Sequence, residues 1–186
     1  MNRKRVQEFI QLSGQGVPER FTPRTARVRT LGAQLLLSEV LEYVIKGLGV
    51  VPQVNGVAIR DPESLRYYAS EEQPDQLEML DGLADVAYTM FWNAIAFGLP
   101  LESAYEAVCE NNLEKFVRLE KWRGDPGALA QSEWHCGINV EWPEEVHAVE
   151  VICLGSGFFA VGKDSCGKVR KPCHYQAVDL KPLLES

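Results

Sequence analysis

No stretch of this chain approaches the roughly 20 consecutive apolar residues that a membrane-spanning helix needs, so no membrane role is expected. An excess of basic charge is missing too. The formal net charge is -7, whereas a nucleic-acid-binding surface calls for a concentrated basic patch. Histidine is scarce, with three in the chain, and the five cysteines at 109, 136, 153, 166 and 173 form no paired spacing. An odd number of unpaired cysteines reads as reduced thiols inside a cell, not as a disulfide framework. The same spacing argues against structural zinc. His135, Cys136, His147, Cys153, Cys166, Cys173 and His174 lack the two closely spaced ligand pairs that such sites use. No basic n-region leads into an apolar stretch at the start, so the chain is expected to carry no secretory signal and to be cytoplasmic. Ser38, Cys109 and Cys153 have no neighbouring activating base in the sequence, which leaves nucleophilic catalysis with little support.

What is present is ordinary globular material: 46% apolar and 24% charged over 186 residues, enough for one domain spanning 1–186 with room for one elaboration. Val6, Phe9, Ile10 and Leu12 recur at helical intervals before Ser13-Gly14, which predicts a short first helix. A second helix is expected from about Thr25 to Lys46, stopped by Gly47 and Gly49. Its opening arginines, Arg24, Arg27 and Arg29, either solvate the first turns or face an anion. Residues 50–76 hold Pro52, Pro62 and Pro74 and read as a loop with one helical turn at 63–68. A third helix is expected from Pro74 or Asp75 to Phe97, closed by Gly98, and a fourth from Pro100 to about Lys121.

The pattern then changes. Trp122-Arg-Gly-Asp-Pro-Gly127 is a breaker cluster, and residues 134–142, 146–154 and 158–161 read as short strands. The expected fold is therefore mainly α, an antiparallel helical bundle with a small β-rich insertion over 124–163 and an extended tail.

Two helical runs carry the chemistry. Glu39 and Glu42 are three apart, and Glu78, Asp81 and Asp85 follow at three and four, so each set lines one helical face. Carboxylates among Leu, Val, Met and Phe persist when a cation compensates them. Hard divalent cations such as Mg²⁺ prefer such oxygens and share their shell with water and substrate phosphate. Two other readings stay open: Glu39 and Glu42 face solvent, and Glu78 suits the positive end of a helix dipole.

Glu39-x-x-Glu42, Asp81-Gly-Leu-Ala-Asp85, Asn112-Leu-Glu-Lys115 and Gly167-Lys168-Val-x-Lys171-Pro-x-x-Tyr175, in that order, resemble the all-α nucleoside triphosphate pyrophosphohydrolases, the MazG-like and phosphoribosyl-ATP pyrophosphohydrolase-like proteins. The resemblance covers about 25–121 and 164–182. It implies Mg²⁺-dependent hydrolysis, with Mn²⁺ as a substitute, between the α and β phosphates of a (deoxy)nucleoside triphosphate. The products would be a nucleoside monophosphate and pyrophosphate, in a nucleotide-pool-cleaning role. It further implies that Glu39, Glu42, Glu78 or Asp81, and Asp85 ligate metal, with Glu39 also catalytic through the attacking water. Asn112, Lys115, Lys168, Lys171 and Tyr175 would bind substrate, and a homodimer or higher homo-oligomer is implied. Ser38 and Gly82 stand where many relatives carry glutamate, which weakens one metal position, and Cys173 stands where proline is common. The alternative is a catalytically weakened helical oligomer that binds a nucleotide or a protein, with the insertion as its interaction surface.

Overall fold

A computed structural model describes residues 3–185. The chain divides into two compact units, one formed by residues 20–79 and the other by 1–19 together with 80–186. The helices are α1 (Arg3–Leu12), α2 (Ala26–Glu42), α3 (Gln76–Phe97) and α4 (Leu101–Leu113). The strands are β1 (Gln53–Val54), β2 (Val57–Ala58), β3 (Val117–Arg118), β4 (Gly127–Ala128), β5 (Ala148–Leu154), β6 (Gly157–Lys163) and β7 (Val169–Arg170).

The expected mainly α, antiparallel helical bundle is not the architecture. About 40% of the chain is helical, and it is joined by a five-stranded antiparallel sheet and a two-stranded one. The segment expected as an insertion is the centre of the larger unit. There β6 pairs with β5 along one edge, while β3 and β7 share its other edge and β4 closes the far side of β5. Successive strand residues point to opposite faces, and both faces of the β5–β6 hairpin are used. Val149, Val151 and Ala160 on one face join Leu119, Cys136, Val140 and Val146, with Trp122, Trp134 and Trp142 packed around them. Val161 on the other face joins Leu12 of α1 and Phe116 just beyond α4, with Phe9, Ile152 and Phe159 alongside. The sheet is thus the layer onto which α1 packs.

One close approach shows how tightly the first face is filled. A Cβ built on Gly162 would stand 2.6 Å from the Trp142 ring and 3.1 Å from Val146, so glycine is needed there for packing alone. Trp142 is fixed in turn, because its Nε1 donates to the Trp134 carbonyl at 3.0 Å. Residues 134–139, expected as strand, are a chain of turns with Cys136 and Asn139 at positive φ. They cover the sheet instead of extending it. Cys153, within the strand expected over 146–154, is exposed, because burial on its face of β5 ends with Val151.

In the smaller unit, Thr25 caps α2 by accepting from the Val28 amide at 3.4 Å, and a π-helical turn, Tyr43–Gly47, extends the helix to Gly49 at φ +67. The expected plain loop after it contains a hairpin. Asn55 and Gly56 have φ of 51 and 79, the positive values a tight two-residue hairpin turn demands. No helical turn forms at 63–68. Instead the extended chain is tied to α2 by Arg29, whose Nη1 and Nη2 donate to the carbonyls of Glu72 and Ser70 at 2.9 and 3.4 Å. Asp75 caps α3 by accepting from the Leu77 and Glu78 amides, and Gly98 ends it at φ +65. α4 stops at Leu113, short of the expected Lys121, because the chain turns at Glu114 to feed β3 into the sheet. Among the described residues no helix is long and apolar enough to cross a membrane.

Candidate functional site

Two sets of residues were expected to carry chemistry, and the structure treats them differently. Lys115, Lys171 and Tyr175 come together although 60 residues of sequence separate the first from the last. The ammonium of Lys171 lies 5.1 Å from the Tyr175 ring centroid and that of Lys115 lies 6.0 Å from it. Lys115 also sits 5.9 Å from the Phe9 ring. These separations suit cation–π attraction, which orients an ammonium without neutralising it. Two ammoniums therefore border one half-buried phenol, with the Glu114 carboxylate close to the same ring.

The tail is held there by Asn111. Its Oδ1 accepts from the Tyr175 hydroxyl and from the Val178 amide, the latter at 3.2 Å, and its Nδ2 donates to the Gln176 carbonyl at 2.9 Å and to Glu114 at 3.2 Å. Three of these bonds pin the segment 175–178 onto the end of α4. Burial, with the Glu114 carboxylate adding to it, raises the Tyr175 phenol above its ordinary value, so it stays a neutral donor to Asn111 at physiological pH. Sequence reasoning selected Asn112, one residue on, and overlooked Asn111. The Asn111-Asn112 pair carries no local signal to choose between them, because a single step rotates a side chain by about 100° around the helix.

Lys168 lies elsewhere, in the turn between β6 and β7. That turn is organised by Asp164, another residue that sequence reasoning missed. Its Oδ1 accepts from the amides of Cys166 and Lys168, both at 2.9 Å, while its Oδ2 accepts from Arg170. An aspartate followed three residues later by Gly167 is a recognisable turn signal of the kind in which the carboxylate replaces a backbone acceptor.

The carboxylates are less assembled. Glu78, Asp81 and Asp85 occupy one stripe of the continuous helix α3, and all three are exposed. Glu39 and Glu42 lie one turn apart on α2, also exposed. Glu42 accepts from Lys46 at 2.8 Å, and this hydrogen bond and charge together raise the lysine above its ordinary value. Ser38 is buried and bonds the Leu35 carbonyl within its own helix. Gly82 has open space where a side chain would stand. Among the described residues no three His, Cys, Asp or Glu side chains form a cluster able to hold a metal ion.

No protein-family model matches the chain, and no curated protein and no solved structure matches it either.

Proposed function

We propose that the protein is a Mg²⁺-dependent nucleoside triphosphate pyrophosphohydrolase, working as a homodimer. The observation that carries this reading is the Lys115–Tyr175–Lys171 group, because three substrate residues implied by motif resemblance are neighbours in space. Two ammoniums beside a phenol suit the phosphate chain of a nucleotide, whose charge needs cationic compensation before it can approach carboxylates.

The donor types fit Mg²⁺. Glu39, Glu42, Glu78, Asp81 and Asp85 offer only hard oxygens and are all open to solvent. This ion usually takes one or two protein carboxylates and completes its shell with water and substrate phosphate, so a dedicated three-residue cluster is not required. Bound there, the ion would supply Lewis-acid polarisation of a phosphoryl oxygen and a water of lowered pKa. By the motif resemblance Glu39 is the residue that would accept the proton of the attacking water; within the larger unit Lys115 and Lys171 carry the charge that would neutralise pyrophosphate, and Asn111 keeps Tyr175 and its tail beside them.

The dimer is supported by α3. Leu77, Leu80, Leu83, Tyr88, Trp92, Ile95 and Phe97 are each more than half exposed, and they are spread around the helix. Large apolar side chains exposed together in this way mark interaction surfaces. A second copy of the same helix would cover an apolar surface with an equally apolar one, as two-fold symmetric interfaces do.

The test is product identification from a panel of ribo- and deoxynucleoside triphosphates with Mg²⁺ or Mn²⁺. Monophosphate and pyrophosphate are expected, and Asp85→Asn and Glu39→Gln should each lower turnover by about 100-fold or more while the protein stays folded. Full activity in both variants removes the carboxylate assignment. Failure to release pyrophosphate from any of the triphosphates leaves the second reading, a nucleotide- or protein-binding protein without turnover.

A further inference from the structure

The last strand of the larger sheet, β7, is paired with β6, and Pro172 just beyond it is fully buried. Past that anchor the chain changes character. Among the described residues that follow, 173–185, none is buried, and Tyr175, Val178, Leu180 and Leu183 are half-buried. The Cys173 amide donates to the Glu141 carbonyl at 2.9 Å. Further along, one side chain at the end of α4 supplies three of the bonds that tie the segment down. Asn111 accepts from the Tyr175 hydroxyl and the Val178 amide and donates to the Gln176 carbonyl. Segments with little buried apolar surface open at a fraction of the free energy that unfolds the whole domain.

We infer that residues 173–185 form a strap that opens and closes as one piece about Pro172, with Asn111 as its latch. Closing it brings the Tyr175 ring to 6.0 Å from the Lys115 ammonium and 5.1 Å from that of Lys171. Neither lysine belongs to the strap. Lys115 follows α4 and also sits against Phe9 of α1, and Lys171 precedes the anchor. Opening therefore takes away the one ring that both ammoniums share and that orients them together. The consequence for phosphate rests on the hydrolytic reading, while the strap itself does not. A ligand that bridges the two ammoniums binds more tightly when they are held together, and by reciprocity it holds the strap shut by the same factor.

Amide hydrogen exchange on the full-length chain, resolved by residue, tests the strap, because a protected amide exchanges through its open form. The amides of Cys173, Tyr175 and Leu183 should exchange at least about 100-fold faster than those of β5 and β6. Asn111 bonds none of these three amides, so only a concerted opening transmits its loss to them. Asn111→Ala should speed all three by a common factor of about ten or more, and Tyr175→Phe, which removes one bond and keeps the ring, by a smaller common factor. The β5 and β6 amides should keep their parent rates in both variants. Acceleration confined to Val178, whose own acceptor is removed, would overturn the one-piece strap. So would strap amides as slow as those of the sheet, or sheet amides that accelerate equally. Pyrophosphate should slow the three amides in the parent protein and leave them unchanged in Lys115→Ala/Lys171→Ala. No slowing in the parent would overturn the coupling to phosphate. Slowing without turnover of any triphosphate would uphold the strap and its ligand and remove the hydrolytic reading alone.

Discussion

The sheet layer and helix α3 are built from equally apolar sequence, yet one buries it and the other exposes it. In β5 and β6, Val149, Val151, Ala160 and Val161 are at most 1% exposed. In the 22 residues of α3, Ala94 alone is buried. Residue type is the same kind of hydrocarbon in both places, so composition does not explain the contrast. Coverage does: the hairpin has tryptophans on one face and α1 with Phe116 on the other, whereas α3 carries apolar side chains around its whole circumference. A helix apolar on all sides is stable in water when other protein surrounds it.

The contrast breaks most sharply on its buried side. Phe116→Ala should cost about 3–5 kcal/mol, since the ring is 5% exposed and meets Phe9 edge-on at 5.0 Å. Urea denaturation measures this, and a loss below ~1 kcal/mol would show that the second face of the sheet is not a packed core. Gly162→Ala should cost about 1–3 kcal/mol through overpacking against Trp142, visible as a lower thermal midpoint with altered tryptophan fluorescence.

On the exposed side the expected effects fall on assembly. Leu80→Glu or Ile95→Glu should convert a dimer into a monomer in sedimentation velocity. The buried sheet core, reported by slow amide hydrogen exchange in β5 and β6, should stay native because neither side chain belongs to it. A wild-type protein that is already monomeric at micromolar concentration sinks the proposed pairing.

The smallest effect is one of pH. Burial raises the Cys136 thiol above its ordinary 9.0, so the folded state holds its proton more tightly than the unfolded chain does. That contribution is fully present below pH 9, fades as pH rises beyond it, and is gone above the folded pKa. Denaturation midpoints should therefore be flat near neutrality and decline on the alkaline side, and Cys136→Ala should flatten the first part of the decline. Identical slopes in the two proteins would refute the assignment.

Much of the local structure was legible in the residues. The bounds of α1, the Asp75 start and Gly98 end of α3, the Gly49 stop beyond α2 and the hairpin around Gly155 follow from caps and positive-φ turns, which involve neighbours in sequence. The Asn55-Gly56 hairpin was equally legible and was overlooked. The neighbourhood of Lys115, Lys171 and Tyr175 was reachable from motif order, though not from spacing. Asn111 was not reachable, since a tail residue arriving from 64 positions away selects it over Asn112.

The sequence alone determined where the four helices begin, where α1 to α3 end, and that 146–154 and 158–161 contain strands, because capping, turn dihedrals and side-chain period are short-range properties. Tertiary structure alone decided that the sheet, not the helices, forms the main core, that α3 is left open, and that Asn111 holds the tail at 175–178. Burial depends on which distant surface arrives to exclude water, and that surface is encoded nowhere in the segment it covers.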